Sequence, residues 1–250
     1  MRKLIAFFVV SVFINNGTGQ KKDKVVYIKN KQLKVDVLPD VGGRIVYLSR
    51  SDKKNTLKSD SSLWNEPKLE RIKPSAYADF KASNEHITWV GTQSDWWVNQ
   101  NINGERKAAK SVWPPDHYLI YGNFKIKEQT DTSMICIGPK SPISGVQLTK
   151  KYSLSGNNLH IEVSTKNIRK DSVGVDLWSN ALFNGYTRFV VPLNENEILK
   201  IDSESRRLKD ALRFSFENKN FTFIAKAPSE NKIEHTGKAY LNPTIGKMIA

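Results

Sequence analysis

Apolar residues recur at every second position along much of this chain, and that period is the strongest restriction on what it can fold into. Leu33, Val35 and Val37 fall on one side of an extended segment while Lys34 and Asp36 fall on the other, as a half-buried strand requires. Pro39, Asp40, Gly42 and Gly43 supply turn chemistry before Arg44 to Leu48 resumes the alternation. A second hairpin is written into Val146, Leu148, Tyr152 and Leu154 on one face, the turn residues Gly156, Asn157 and Asn158, and then Leu159, Ile161 and Val163. Phe214 and Phe216, Asn218 to Asn220, and Phe221 and Phe223 predict a third. Shorter strands are expected over Ile87 to Val90, Tyr118 to Lys127, Thr132 to Ile137 and Val173 to Trp178. After the first residues, no window of about eleven positions carries the 3.6-residue stripe of an amphipathic helix. The fold class is therefore all-β, and so many strands imply two large sheets packed face to face. The polar stretch from Ser49 to Lys73 reads as a loop around short elements, anchored by Trp64.

The N-terminus has a different grammar. Arg2 and Lys3 precede a run from Leu4 to Ile14 that is apolar except for Ser11, the charged and apolar regions of a secretory leader. Crossing a bilayer as a helix takes roughly 20 apolar residues, about twice this run. Gly17 and Gly19 suit a leader peptidase, which places a signal peptide at residues 1–19, a single β domain at 20–250 and the mature start near Gln20. The expected location is outside the cytoplasm, secreted or periplasmic, with no transmembrane segment once the leader is removed. Cys136 is the lone cysteine, so no intrachain disulfide forms and the domain is held by its core. Six Trp, eight Tyr and eleven Phe are enough large side chains to build one.

The formal charge is +14, and the cations are scattered: Lys53 with Lys54, Arg106 with Lys107 and Lys110, Lys150 with Lys151, and Arg206, Arg207 and Lys209. A nucleic-acid reader concentrates its cations on one element, so no nucleic acid is expected as a partner. Solvated strand and loop faces explain most of the charge, and attraction to an acidic glycan or an anionic cell surface is the functional reading of the rest.

Chemistry is densest between Trp89 and Asp116, where four of the six tryptophans lie among Gln93, Ser94, Asp95, Asn99, Gln100 and Asp116. Indole faces pack on the C–H faces of a sugar ring, and carboxylates and amides take its hydroxyls. Trp96 and Trp97 are adjacent, so on a regular strand they would point to opposite sides and one of them would line a surface or cleft.

The motifs PDVGGRI, VGTQSDWW followed by WPPD, SPISGVQLTKKYSL, and Asn167 ahead of VDLWSNALFNG and VVPL resemble, in that order, an uncharacterised secreted bacterial branch of the galactose mutarotase-like superfamily. The resemblance covers roughly residues 33–193. It implies a β-supersandwich like that of the aldose 1-epimerases, with a carbohydrate on its concave face, and it places Arg44 on an early strand facing the cleft. Where the epimerases carry a histidine acid, the matching segment reads WSNALFNG, so Trp178 and Asn180 stand at that position and neither donates a proton near neutral pH. The epimerase base is a glutamate on a late strand; the chain ends at Ala250 without an obvious strand to carry it, so the C-terminal part of the fold is expected to be short.

Of the four histidines, His117 follows WPPD beside Asp116 and is the best placed for site chemistry; the catalytic candidates are Asp116 and His117. His160 and Glu162 share the outward face of a strand, while His86 and His235 are isolated. No cluster has metal-ligand spacing and no phosphate-binding glycine loop is present, so neither a metal nor a cofactor is expected. The candidate ligand-binding residues are Arg44, Gln93, Asp95, Trp97, Trp113, Asp116, His117, Trp178 and Asn180. Three functions follow: an exported carbohydrate-binding protein without the epimerase acid and base; a sugar-active enzyme, either an epimerase or a polysaccharide-processing accessory; or a surface interaction domain without a small ligand.

Overall fold

The computed structural model describes residues 25–50, 53–59, 73–81, 85–184, 187–202, 214–224 and 238–242. The expected leader, Trp64 and His235 lie outside them. Of the described residues 49% are strand and 8% helix, the all-β class expected from the alternation.

The first sheet has the order β1-β2-β3-β4-β9, made of Val26–Lys29, Leu33–Leu38, Arg44–Arg50, His86–Gly91 and, at its edge, Asp176–Ala181. The second has the order β5-β6-β7-β8, made of Lys125–Gln129, Ser133–Lys140, Val146–Ser155 and Asn158–Asn167. One apolar cluster joins them: Ile28, Val35, Val37, Ile45 and Val90 from the first sheet meet Met134, Cys136, Leu148 and Tyr152 from the second. The two sheets thus pack face to face, and the alternation Leu33, Val35, Val37 lies on the buried side.

This core is not wholly apolar. Lys150 is buried within it, donating from Nζ to the Gly42 carbonyl at 2.8 Å and lying 5.0 Å from the centre of the Phe124 ring. Burial brings its pKa down to about 7. His86 and Thr88 come from β4 on the same face, and His86 Nε2 lies 2.8 Å from Ser179 Oγ on β9. Burial, with the nearby charge of Lys150, lowers the His86 pKa to about 4.

Further strands follow in two smaller sheets, β10-β13-β12 (Arg188–Pro192, Asn220–Ile224, Phe214–Glu217) and β11-β14 (Ile198–Asp202, Lys238–Leu241). Val191, Leu193 and Phe221 form their shared core. The hairpin predicted around Asn218 is β12 and β13, with Asn218 and Lys219 both at positive φ in its tight turn.

Two expectations are corrected. Tyr118 to Lys127 is not one strand: the Asp116 carboxylate accepts from the Tyr118 amide at 2.9 Å and caps a short helix, His117–Ile120 (α2), so the strand starts only at Lys125. The strand expected from Val173 begins at Asp176, because residues 168–175 form the loop described next. The other short helix, Gly104–Ala108 (α1), is capped by Asn103, which accepts from the Arg106 amide at 2.9 Å.

Candidate functional site

Three segments that stand far apart in sequence meet at one end of the sandwich: the turn after β4, the turn between β6 and β7, and the loop between β8 and β9. Between them lies a pocket of about 180 Å³ whose polar lining includes Thr92, Asp95, Asn99, Ser144, Arg169 and Asp171, with Trp96 as an apolar wall.

Each segment is held by its own side chains. In the first, Gln93–Asp95 makes a 3-10 turn; Thr92 Oγ1 donates to Asp95 Oδ2 at 3.0 Å and Ser94 Oγ to Oδ1 at 3.3 Å, which fixes an exposed carboxylate at the rim. In the loop after β8, Asn167 accepts the Arg169 amide at 2.8 Å and donates to the Asp171 carbonyl at 2.7 Å, folding the segment back. Arg169 then reaches across to the Ile143 carbonyl at 3.0 Å. Its side chain lies against Gly145, whose φ is +75°; a Cβ there would sit 2.1 Å from Arg169 Nε. Glycine serves both the left-handed backbone and the room for the guanidinium.

Asp116 is the strut beneath the middle segment. It accepts a short hydrogen bond from Ser141 Oγ and one from the Ser144 amide at 3.1 Å, besides capping α2. Burial pushes its pKa up, and these hydrogen bonds pull the other way. Together they shape the turn that presents Ser144 to the pocket. His117, also buried, donates from Nε2 to the Asp79 carbonyl at 3.0 Å and packs edge-on against Tyr121. Desolvation lowers its pKa, which keeps the imidazole neutral.

Beside the pocket runs an aromatic shelf. Trp96 donates from Nε1 to the Val90 carbonyl at 2.6 Å, and its ring is 5.8 Å from Trp89 and 6.3 Å from Trp113. Trp113 packs 4.9 Å from Phe80 and is 48% exposed. Trp178 stands opposite Trp89 in the β4–β9 ladder and is 37% exposed. Gly91 permits its approach: a Cβ at Gly91 would lie 2.5 Å from Trp178 Nε1. Asn180 is the next residue on the same face of β9, and neither its Nδ2 nor Trp89 Nε1 has a hydrogen-bond partner although both are buried.

The structure therefore sorts the sequence candidates. Asp95 lines the pocket, Gln93 sits in the turn that forms its rim, and Trp113, Trp178 and Asn180 belong to the adjoining shelf. Arg44, Trp97, Asp116 and His117 lie inside the protein. Arg44 pairs with Glu85 at 3.1 Å, both buried, and donates to the Ile120 carbonyl at 2.6 Å, so Arg44 and Asp116 brace opposite ends of α2. Trp97 donates to the Pro114 carbonyl at 2.8 Å, with Arg106 over its ring at 4.7 Å. Trp96 and Trp97 follow a 3-10 turn, where neighbours need not alternate; both are buried, and Trp96 is the one of the pair that lines the pocket. Arg169, Asp171 and Ser144 were not singled out from sequence; of the three only Ser144 lies within a motif quoted there, SPISGVQLTKKYSL. Among the described residues no group of three histidine, cysteine or carboxylate side chains could hold a metal ion.

No curated protein and no solved structure matches the chain. One family profile does, described as a domain of unknown function, DUF4380, and it spans residues 24–250. That match takes in both large sheets, the pocket and the shelf, and the chain belongs to the DUF4380 family.

Proposed function

We propose that this is an exported carbohydrate-binding protein of galactose mutarotase-like fold, and that its ligand lies across the pocket and the indole shelf. The observation that carries the reading is the juxtaposition of two carboxylates, a guanidinium, an amide and three hydroxyls in the pocket with the exposed rings of Trp113 and Trp178 beside it. Hydroxyl-rich rings need this pairing: apolar faces to cover their C–H surface, and donors and acceptors in the plane for their hydroxyls. The pocket, of about 180 Å³, adjoins the shelf, which leaves a second surface for a neighbouring unit of a chain.

Binding without epimerisation is the better supported of the sugar readings. Opening a hemiacetal ring takes an acid and a base, each within about 3 Å of its proton. The two catalytic candidates are committed elsewhere, Asp116 to three donors of the protein and His117 to the Asp79 carbonyl. Export rests on the leader-like segment of Arg2 to Gly19, and among the described residues no helix is long and apolar enough to cross a membrane.

The test is a glycan-array screen followed by calorimetric titration of the best ligand. Arg169→Ala and Trp178→Ala should each weaken binding at least about tenfold, roughly 1.4 kcal/mol, while polarimetry on fresh α-glucose and α-galactose shows no acceleration. An array without hits, or binding unmoved by either substitution, would reject the proposal; catalysed mutarotation abolished by Asp116→Asn would favour the enzyme.

A further inference from the structure

The four-stranded sheet ends in two edges that are built differently. At one, β5 is five residues long, breaks register with a bulge between Ile126 and Glu128, and carries Lys125, Lys127 and Glu128. Those are devices that keep an edge from pairing with another chain. At the other, β8 runs ten residues in unbroken register with β7, contains no proline, and has no strand on its far side among the described residues.

Ser155 and Asn158 flank a two-residue turn, so His160, Glu162, Ser164 and Lys166 direct their backbone groups to β7. The N–H and C=O groups of Leu159, Ile161, Val163 and Thr165 therefore point out along the open edge. The sequence of that edge is complementary to itself. An antiparallel pairing of two β8 strands centred on Ser164 sets Glu162 opposite Lys166 of the second copy, twice, and Val163 opposite Thr165 in the hydrogen-bonded positions. Moving the centre to Val163 sets His160 against Lys166, and moving it to Glu162 sets the two glutamates face to face, so of these three registers the charge pattern favours the one centred on Ser164. Ile161, 38% exposed at the core-facing side of this edge, gains a neighbouring strand in the pairing.

We propose that the β8 edge is a homodimer interface, in which two copies join their four-stranded sheets into one continuous sheet about a two-fold axis at Ser164. The interface is isologous, as a two-fold requires.

Sedimentation velocity on the purified protein over a concentration series is the experiment. The wild type should sediment as a dimer. Val163→Pro removes an N–H that points out of the monomer and needs no partner within it, so the variant should keep the wild-type circular dichroism and sediment at half the mass. Glu162→Lys should do the same through like-charge repulsion, and the exchange Glu162→Lys with Lys166→Glu should restore the dimer. A wild type that stays monomeric throughout, or a dimer that survives both Val163→Pro and Glu162→Lys, overturns the proposal. Should Val163→Pro fail to fold, the charge variants on the exposed face decide alone.

Discussion

The Lys150 amine ends 2.8 Å from the carbonyl oxygen of Gly42, in the middle of the packed sheets and shut off from water. Burial brings its pKa down from 10.5 to about 7. Above pH 7 the folded protein holds this amine neutral while the unfolded chain still protonates it, so the unfolded state binds more protons and stability rises with pH. Between pH 7 and 9 the gain should be about 1–2 kcal/mol. Beyond 9 the gain is opposed by Cys136, whose thiol burial pushes up to about 11. Lys150→Met should flatten the 7–9 segment in urea melts at stepped pH; an unchanged slope would refute the assignment.

His86 acts on the acid side with the same sign. Its pKa falls from 6.5 to about 4 on folding, so the unfolded chain takes up a proton through that window before the folded protein does, and stability is lost as pH falls. His117, also lowered by burial, adds to the loss. His86→Gln should reduce the loss between pH 6.5 and 4 by about 1 kcal/mol or more relative to wild type. The comparison is made on acid-unfolding midpoints, and coincident curves would argue against it.

Asp116→Ala strips the acceptor from the Tyr118 amide, the Ser144 amide and the Ser141 hydroxyl together. Loss of a helix cap with buried donors left unpaired should cost about 2–4 kcal/mol. Asp116→Asn, which keeps one carbonyl oxygen, should cost less. Thermal melts rank the two, and equal losses would mean that the acceptor count is not what matters.

Two glycines of the pocket wall should behave oppositely. Gly91→Ala drives a methyl into the Trp178 indole and toward the Asp176 side chain, costing about 1–3 kcal/mol and shifting the tryptophan emission. Gly174→Ala meets nothing within 4 Å and should leave the melting temperature nearly unchanged. Equal effects at the two positions would contradict the wall as described.

Much of the fold was legible because a strand buried on one face writes its period into the chain; β2, β7, β8 and β12 with β13 fall where Leu33, Leu148, Ile161 and Phe221 put them. The places that escaped are those where a side chain overrides the period. Asp116 turns a strand-like stretch into helix by capping it, and the 3-10 turn at Gln93 removes the alternation that would have separated Trp96 from Trp97. The site was legible in part: Asp95, Trp113, Trp178 and Asn180 are named from the sequence, whereas Ser144, Arg169 and Asp171 are not. VGTQSDWW stood out by composition and SPISG only through the family resemblance, but nothing local marks Arg169: its place depends on Asn167 folding the loop and on Gly145 in another strand connection making room. Likewise Arg44 and His117, polar and near the motifs, gave no sign of being interior, since their partners Glu85 and the Asp79 carbonyl come from distant segments.

The seclusion of Cys136 has a practical sequel. Wholly buried, and with its thiol held far from ionisation at neutral pH, it offers neither access nor a thiolate to an electrophile. Being the lone sulfhydryl in the chain, it makes the protein its own clock of core opening: alkylation by an excess of iodoacetamide under native conditions advances only as often as the two sheets part, so one mass-spectrometric time course reads that rate without any engineered label.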